Sequence, residues 1–220
     1  LLKPWPDQPR VLKIFASLCV GFELLAIIGN LFVASDGVRR LFLVLGGFWP
    51  ELLSGAPEIY PGQTVTMFAT SALLHGGPLH LFMNMVGLLW LGPMVIDRLG
   101  ARAFWPIAGL TALGAGLVFA ALSQNGVPMI GASGILFGLV GVLVTWEVRD
   151  RLRLRTPLRA LFEQAAVFVA LNLALMLLAG GSIAWQAHLG GFLAGVLCGL
   201  FTWPGNSPGG RVARPRARVG

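Results

Sequence analysis

The residues able to do chemistry in this chain are few. It has three histidines, His75, His80 and His188, and one serine framed by glycines, in Gly131-Ala132-Ser133-Gly134. A serine hydroxyl becomes a useful nucleophile only when a base takes its proton. A histidine can take that proton and later return it to a leaving amine. His188, in Ala187-His188-Leu189-Gly190-Gly191, is the candidate base. The oxyanion formed when a carbonyl is attacked needs aimed donors. His80, the Asn84 amide and the Ser133 backbone N–H are suitable types, and the spacing of four puts His80 and Asn84 on one helix face. No acid is placed to orient His188, so the pattern reads as a dyad and not a triad. The three histidines lack a His-Glu-x-x-His spacing and an accompanying carboxylate, so no metal and no cofactor is expected.

These side chains must be positioned by elements that live in lipid. Hydrophobic residues make up 56% of the chain and charged residues 11%, with a mean hydropathy of +0.78. A soluble domain carries roughly 25% charged residues, so this chain cannot clothe itself for water. The apolar runs predict six spans, at about 14–34, 79–96, 104–122, 131–147, 163–179 and 186–203. The expected class is therefore an all-α polytopic membrane protein, with one six-helix domain over residues 1–203. A Gly-, Pro- and Arg-rich tail, 204–220, is expected to be disordered and drawn to anionic lipid. Every lysine and arginine except Arg39 and Arg40 falls on one side of the six alternating spans. The positive-inside rule then puts both termini in the cytoplasm, so the net charge of +7 signals topology and no nucleic-acid partner. The run from Arg149 to Arg159 belongs to that signal. The loop at 35–78 contains an apolar stretch, 41–49, too short to span and expected to lie in the interface. The first apolar run, too long for a signal-peptide core, is read as an anchor.

Spans 2, 4 and 6 run in the same direction, so their first turns share one depth. His80, Asn84, Ser133 and His188 all fall there, in a layer open to the extracytoplasmic face. The glycines explain how they could meet: Gly131, Gly134, Gly138 and Gly141 mark span 4, while Gly191, Gly195 and Gly199 recur every fourth residue on span 6. Small residues at that spacing let helices approach closely in a membrane.

Taken together, these motifs resemble the rhomboid family. The run from His75 through His80 to Asn84 resembles its His-x4-His-x3-Asn segment. Gly131-Ala132-Ser133-Gly134 resembles its Gly-x-Ser-Gly motif, and His188 with Gly191 and Gly195 resembles its Ala-His-x-x-Gly-x-x-x-Gly motif. The resemblance covers about residues 65–200. It implies an intramembrane serine endopeptidase of the bacterial six-helix type, without cofactor, cutting single-pass membrane proteins at small residues within or beside their transmembrane segments. It implies oxyanion roles for His80 and Asn84, backbone support from Gly131, and lateral access for a substrate helix past span 5. Three positions depart from the family's pattern. Val65-Thr66 stand where a Trp-Arg pair is common. Phe137 replaces a tyrosine that stacks on the catalytic histidine, keeping the ring and losing the hydroxyl. Ile96, beside Asp97, replaces a glutamate.

Other readings stand beside these. A non-catalytic relative that binds membrane proteins for quality control is the alternative function; a small transporter or channel would need polar groups through the whole bilayer depth. His75 is read as a loop stabiliser, with a third oxyanion group as the alternative. Glu23, inside span 1, is a functional candidate by default; the structural reading, protonated or bonded to Asn30 or a neighbouring helix, is preferred. Cys19 and Cys198 read as inert buried thiols. Composition and resemblance suggest a bacterial inner membrane.

Overall fold

A computed structural model describes residues 2–33, 36–123, 126–166 and 184–202. The described residues form helices and turns, with one isolated antiparallel bridge between Phe48 and Met129. In chain order the α-helices are α1 (Arg10–Phe32), α2 (Gly37–Gly46), α3 (Pro50–Leu53), α4 (Gln63–Thr70), α5 (Pro78–Leu99), α6 (Phe104–Leu122), α7 (Ser133–Leu154) and α8 (Trp185–Phe201). Residues 159–166 are also helical. Most of the fifth expected span and the whole 204–220 tail lie outside the described residues.

The chain is an integral membrane protein. Arg10–Phe32, Pro78–Leu99 and Ala101–Leu122 are each long and apolar enough to cross a bilayer, and Trp185–Phe201 is a shorter apolar helix. Their outward faces carry Leu25, Ile28, Phe82, Trp90, Leu110 and Leu197, all exposed, as lipid contact demands. Two bounds differ from the sequence expectation for identifiable reasons. Span 4 was expected from residue 131, but the helix starts at Ser133 because Gly131 sits at φ +122°. The same helix runs past residue 147 to Leu154. There an i,i+4 pair, Glu147 with Arg151 at 2.6 Å, and basic residues in the last turn favour continuation. Arg149 donates to the Leu200 carbonyl at 2.7 Å, tying the far ends of α7 and α8 together.

Local sequence sets the helix starts. Pro78 occupies the first turn of α5, where its missing N–H costs nothing and its φ is already helical. Gly100 ends the same helix at φ +84°, donating its N–H to Ile96 O at 2.7 Å.

Helices α6, α7 and α8 pack through glycine. A Cβ built on Gly191 would strike the Gly134 carbonyl oxygen, and one on Gly195 would strike that of Gly138; Gly141 faces the Phe192 carbonyl. On its other side α8 meets α6 the same way, with Gly190 against the Gly114 carbonyl. Helix α5 docks by side chains instead. Its Gly87 lies under Leu136 of α7, and its Gly92 under Leu12 of α1.

The segment between α1 and α5 is anchored by one ring. Phe48 is fully buried, seated over Gly116 of α6, where a Cβ would lie 2.6 Å from the ring. It packs edge-on against Phe68 and Phe119, with ring centroids 4.9 and 6.1 Å away. Its backbone exchanges hydrogen bonds with Met129 at 2.9 and 3.0 Å. Further along, the Glu58 carboxylate accepts from the N–H groups of Thr64 and Gly62. The bonds from Thr64 and then Gly62 hold its carboxyl below the usual carboxylate range.

The glycine packing leads to a direct test. Gly195→Ala forces a methyl onto a carbonyl oxygen and should cost about 1–3 kcal/mol by overpacking, lowering the midpoint of thermal unfolding in detergent. Gly21→Ala, where nothing lies within 4 Å of the added carbon, should leave the midpoint unchanged or raise it.

Candidate active site

Ser133 is the first residue of α7. The four residues before it are held from both sides. Met129 pairs with Phe48, and the Gly131 N–H donates to the Ser71 carbonyl at 2.9 Å. Ser71 itself is buried. The first N–H groups of a helix have no acceptor within it and carry the positive end of the helix dipole. The Ser133 Oγ is therefore presented beside backbone donors that the fold leaves uncommitted.

His188 lies in the first turn of α8. Its Nε2 is 2.9 Å from the Ser133 Oγ, a hydrogen bond between residues 55 apart in sequence. The Phe137 ring, one turn after Ser133, stacks on the imidazole at 4.1 Å between centroids and 10° between planes. The stack fixes the ring plane, and the packing of α7 on α8 fixes the separation.

His80 approaches from α5. Its Nδ1 accepts the Gly76 N–H at 3.2 Å, which leaves the proton of a neutral ring on Nε2. That edge faces Gly131: a Cβ there would lie 2.8 Å from His80 Nε2 and Cε1, and 3.9 Å from Ser133 Oγ. Gly131 is thus required twice, by its φ of +122° and by this close approach. The Asn84 amide nitrogen donates to the His80 carbonyl at 2.8 Å. Asn84 is 4% exposed, and its Oδ1 has no hydrogen-bond partner among the described residues. The structure thus gathers Ser133, His188, Phe137, His80 and Gly131, with Asn84 one turn deeper on α5. Gly134, Gly138, Gly191 and Gly195 form the seam beneath them.

His75 is 4% exposed and lies edge-on to His80 at 5.1 Å between centroids. Burial, with the neighbouring His80 acting in the same direction, pushes His75 from 6.5 down to about 4. Glu23 is bonded to a neighbouring helix, one of the expected alternatives: both its oxygens accept from Arg39 of α2, at 2.9 and 2.7 Å. Asn30 instead binds α2, accepting from Val38 N and donating to Asp36. Arg39 escaped the sequence reading because it sits in a loop helix, and nothing local marks it as reaching into the bundle. The only legible signal was its position opposite the topology bias. Among the described residues no group of His, Cys, Asp and Glu side chains is arranged to hold a metal.

A family model described as Rhomboid domain matches residues 62–205, which include every residue of this cluster. RHOMBOID-like protein 5 of Arabidopsis thaliana is 33% identical over 128 residues, covering 58% of this chain and 40% of that protein. RHOMBOID-like protein 6, mitochondrial, of the same plant is 28% identical over 146 residues, covering 65% and 45%. Rhomboid-like protease 1 of Toxoplasma gondii is 29% identical over 144 residues, covering 66% and 49%. The chain spans less than half the length of each of these relatives.

Two outcomes follow from the geometry. Gly131→Ala strains the backbone and displaces His80, and should slow fluorophosphonate labelling of Ser133 by about 10² or more, the scale of losing one oxyanion donor. For His75, the folded state favours the neutral ring, so its contribution to stability is full above 6.5 and is lost as the pH falls towards about 4. The thermal midpoint should fall across that window, and His75→Gln should flatten the fall.

Proposed function

The chain belongs to the rhomboid family, and we propose that it is an intramembrane serine endopeptidase in which Ser133 is the nucleophile and His188 the general base. The observation that carries the reading is the 2.9 Å contact between Ser133 Oγ and His188 Nε2, with the imidazole held flat against Phe137. The family and the names of relatives such as Rhomboid-like protease 1 support protease chemistry in a membrane.

The reading gives each of these residues a step. Ser133 Oγ attacks a peptide carbonyl while its proton passes to His188 Nε2. The carbonyl oxygen becomes an oxyanion and is met by the Ser133 N–H at the start of α7 and by the Nε2–H of His80. Asn84 supports that side by holding the His80 backbone. The tetrahedral intermediate collapses as the His188 imidazolium protonates the leaving amine. An acyl-enzyme remains on Ser133. A water then attacks it, its proton goes to His188, and collapse returns the proton to Ser133 Oγ. Donors fixed in advance in a low-dielectric site stabilise the oxyanion more than water would.

The substrates are single-pass membrane proteins, bound where a transmembrane segment unwinds to expose a carbonyl. Both termini face the cytoplasm and the site opens to the other side of a bacterial inner membrane. Residues 1–203 form the membrane domain, with 204–220 as a basic tail.

The test is cleavage by purified protein in liposomes of a panel of single-pass substrates. Ser133→Ala and His188→Ala should each abolish cleavage, a loss of about 10⁴ or more, and a chelator should change nothing. Cleavage by Ser133→Ala would overturn the mechanism. Absence of both cleavage and fluorophosphonate labelling in the unaltered protein would favour a binding-only role.

A further inference from the structure

The pair Glu23–Arg39 lies outside the stretch matched by the family model, residues 62–205, and has no part in the chemistry described so far. Glu23 is 3% exposed, midway along α1, and Arg39 reaches it from α2. Placing an acid at that depth is costly unless it is paired and fully bonded. Arg39 bonds to both carboxylate oxygens through different nitrogens. One of those nitrogens, Nη1, also donates to the His75 carbonyl at 2.7 Å. The Glu23 bond raises the Arg39 pKa further, so the cation is permanent.

The His75 carbonyl shares a peptide plane with the Gly76 N–H, and that N–H is the donor to His80 Nδ1. A peptide unit is rigid and planar. Fixing its oxygen on one side fixes its N–H on the other, and a charged donor on the carbonyl polarises the N–H and strengthens its bond. The chain of contacts runs from Glu23 to Arg39, through the His75–Gly76 peptide, to His80 Nδ1. Arg39 is itself placed by Asn30 of α1, whose Oδ1 accepts from Val38 N and Arg39 N at 3.1 and 3.4 Å.

We propose that Arg39, clamped by Glu23, is a positioning residue that orients the His75–Gly76 peptide and so holds His80 as the Nε2–H tautomer facing the oxyanion position. The functional consequence rests on the serine-protease reading; the tautomer does not.

The experiment uses the full chain in detergent with ¹⁵N-labelled histidine. In the unaltered protein the His80 resonances should show an unprotonated Nδ1 and a protonated Nε2. The double variant Glu23→Leu/Arg39→Met removes the pair without stranding a buried charge, a replacement that proteins often tolerate. It should keep its thermal midpoint, lose the single His80 tautomer, and label with fluorophosphonate about 10- to 100-fold more slowly. Glu23→Gln keeps the side-chain shape and removes one acceptor from the clamp. It is the second variant, should the first not fold, and should give the same change in smaller measure. An unchanged His80 tautomer in a folded variant overturns the proposal. A tautomer lost as expected, in a protein whose unaltered form neither cleaves nor labels, would uphold the positioning and reject the protease reading.

Discussion

The seam between α7 and α8 is made by backbone, and the rest of the site depends on it. Gly191 and Gly195 face the carbonyl oxygens of Gly134 and Gly138 so closely that no Cβ fits between them. In lipid there is little hydrophobic drive to bring helices together, so association relies on dispersion and weak backbone contacts at close range. Once the backbones touch, neither the separation nor the stagger of the helices can vary. Ser133 precedes Gly134 by one residue, and His188 lies one turn before Gly191. Their 2.9 Å contact is the end reading of a rigid ruler. Phe137, four residues after Ser133 on the same face, then covers the imidazole. Among the described residues, helix-on-helix packing sets Ser133 against His188.

The other side of the site is built differently. His80 and Asn84 belong to α5, which meets α7 through Leu136 over Gly87 and meets α1 through Leu12 over Gly92. These are side-chain contacts, softer than a backbone seam. The deficit is offset by polar ties that reach the same turn from above, Arg39 to the His75 carbonyl and Gly76 to His80, while the Gly131 N–H opposite that turn donates to the Ser71 carbonyl. Two assemblies therefore meet at Gly131, one carrying Ser133 and His188, the other carrying His80 and Asn84. Gly131 can serve as their junction because it has no side chain on the face where the His80 edge arrives.

What could be read in the sequence divides along the same line. The meeting of Ser133 with His188 and the glycine seam were legible because helical periodicity is a one-dimensional signal. A four-residue glycine stripe, and polar residues in the first turns of parallel spans, carry their geometry in their numbering. The rhomboid resemblance was carried by those same residues, and the match over 62–205 bears it out. The loop was not legible. Phe48 pairs with Met129 across 81 positions, and no local pattern announces a bridge. The start of α7 was misplaced by two residues because a φ of +122° at Gly131 looks, in sequence, like one more small residue of the helix. Glu23 was recognised as anomalous, but its partner was not, because an ion pair between α1 and a loop helix leaves no spacing rule.

Helix N-termini suit this chemistry in a membrane for a reason that links all three contributing helices. Ser133 is the first residue of α7, His80 lies in the first turn of α5 and His188 in that of α8. At about 1.5 Å of rise per residue, the three are within roughly one turn of a common level. A catalytic group placed deeper would need every polar atom paired by protein, because hydrocarbon offers none. At the first turn the backbone itself provides donors that the helix has no use for. The peptide N–H of Ser133 is therefore left as a donor beside its own Oγ, with no additional buried side chain to satisfy. What remains is to aim one further donor, His80, from a neighbouring helix. The loop that aims it has to approach from the same end, which is why the short helices α2, α3 and α4, the Phe48 anchor and the Arg39 clamp all gather there.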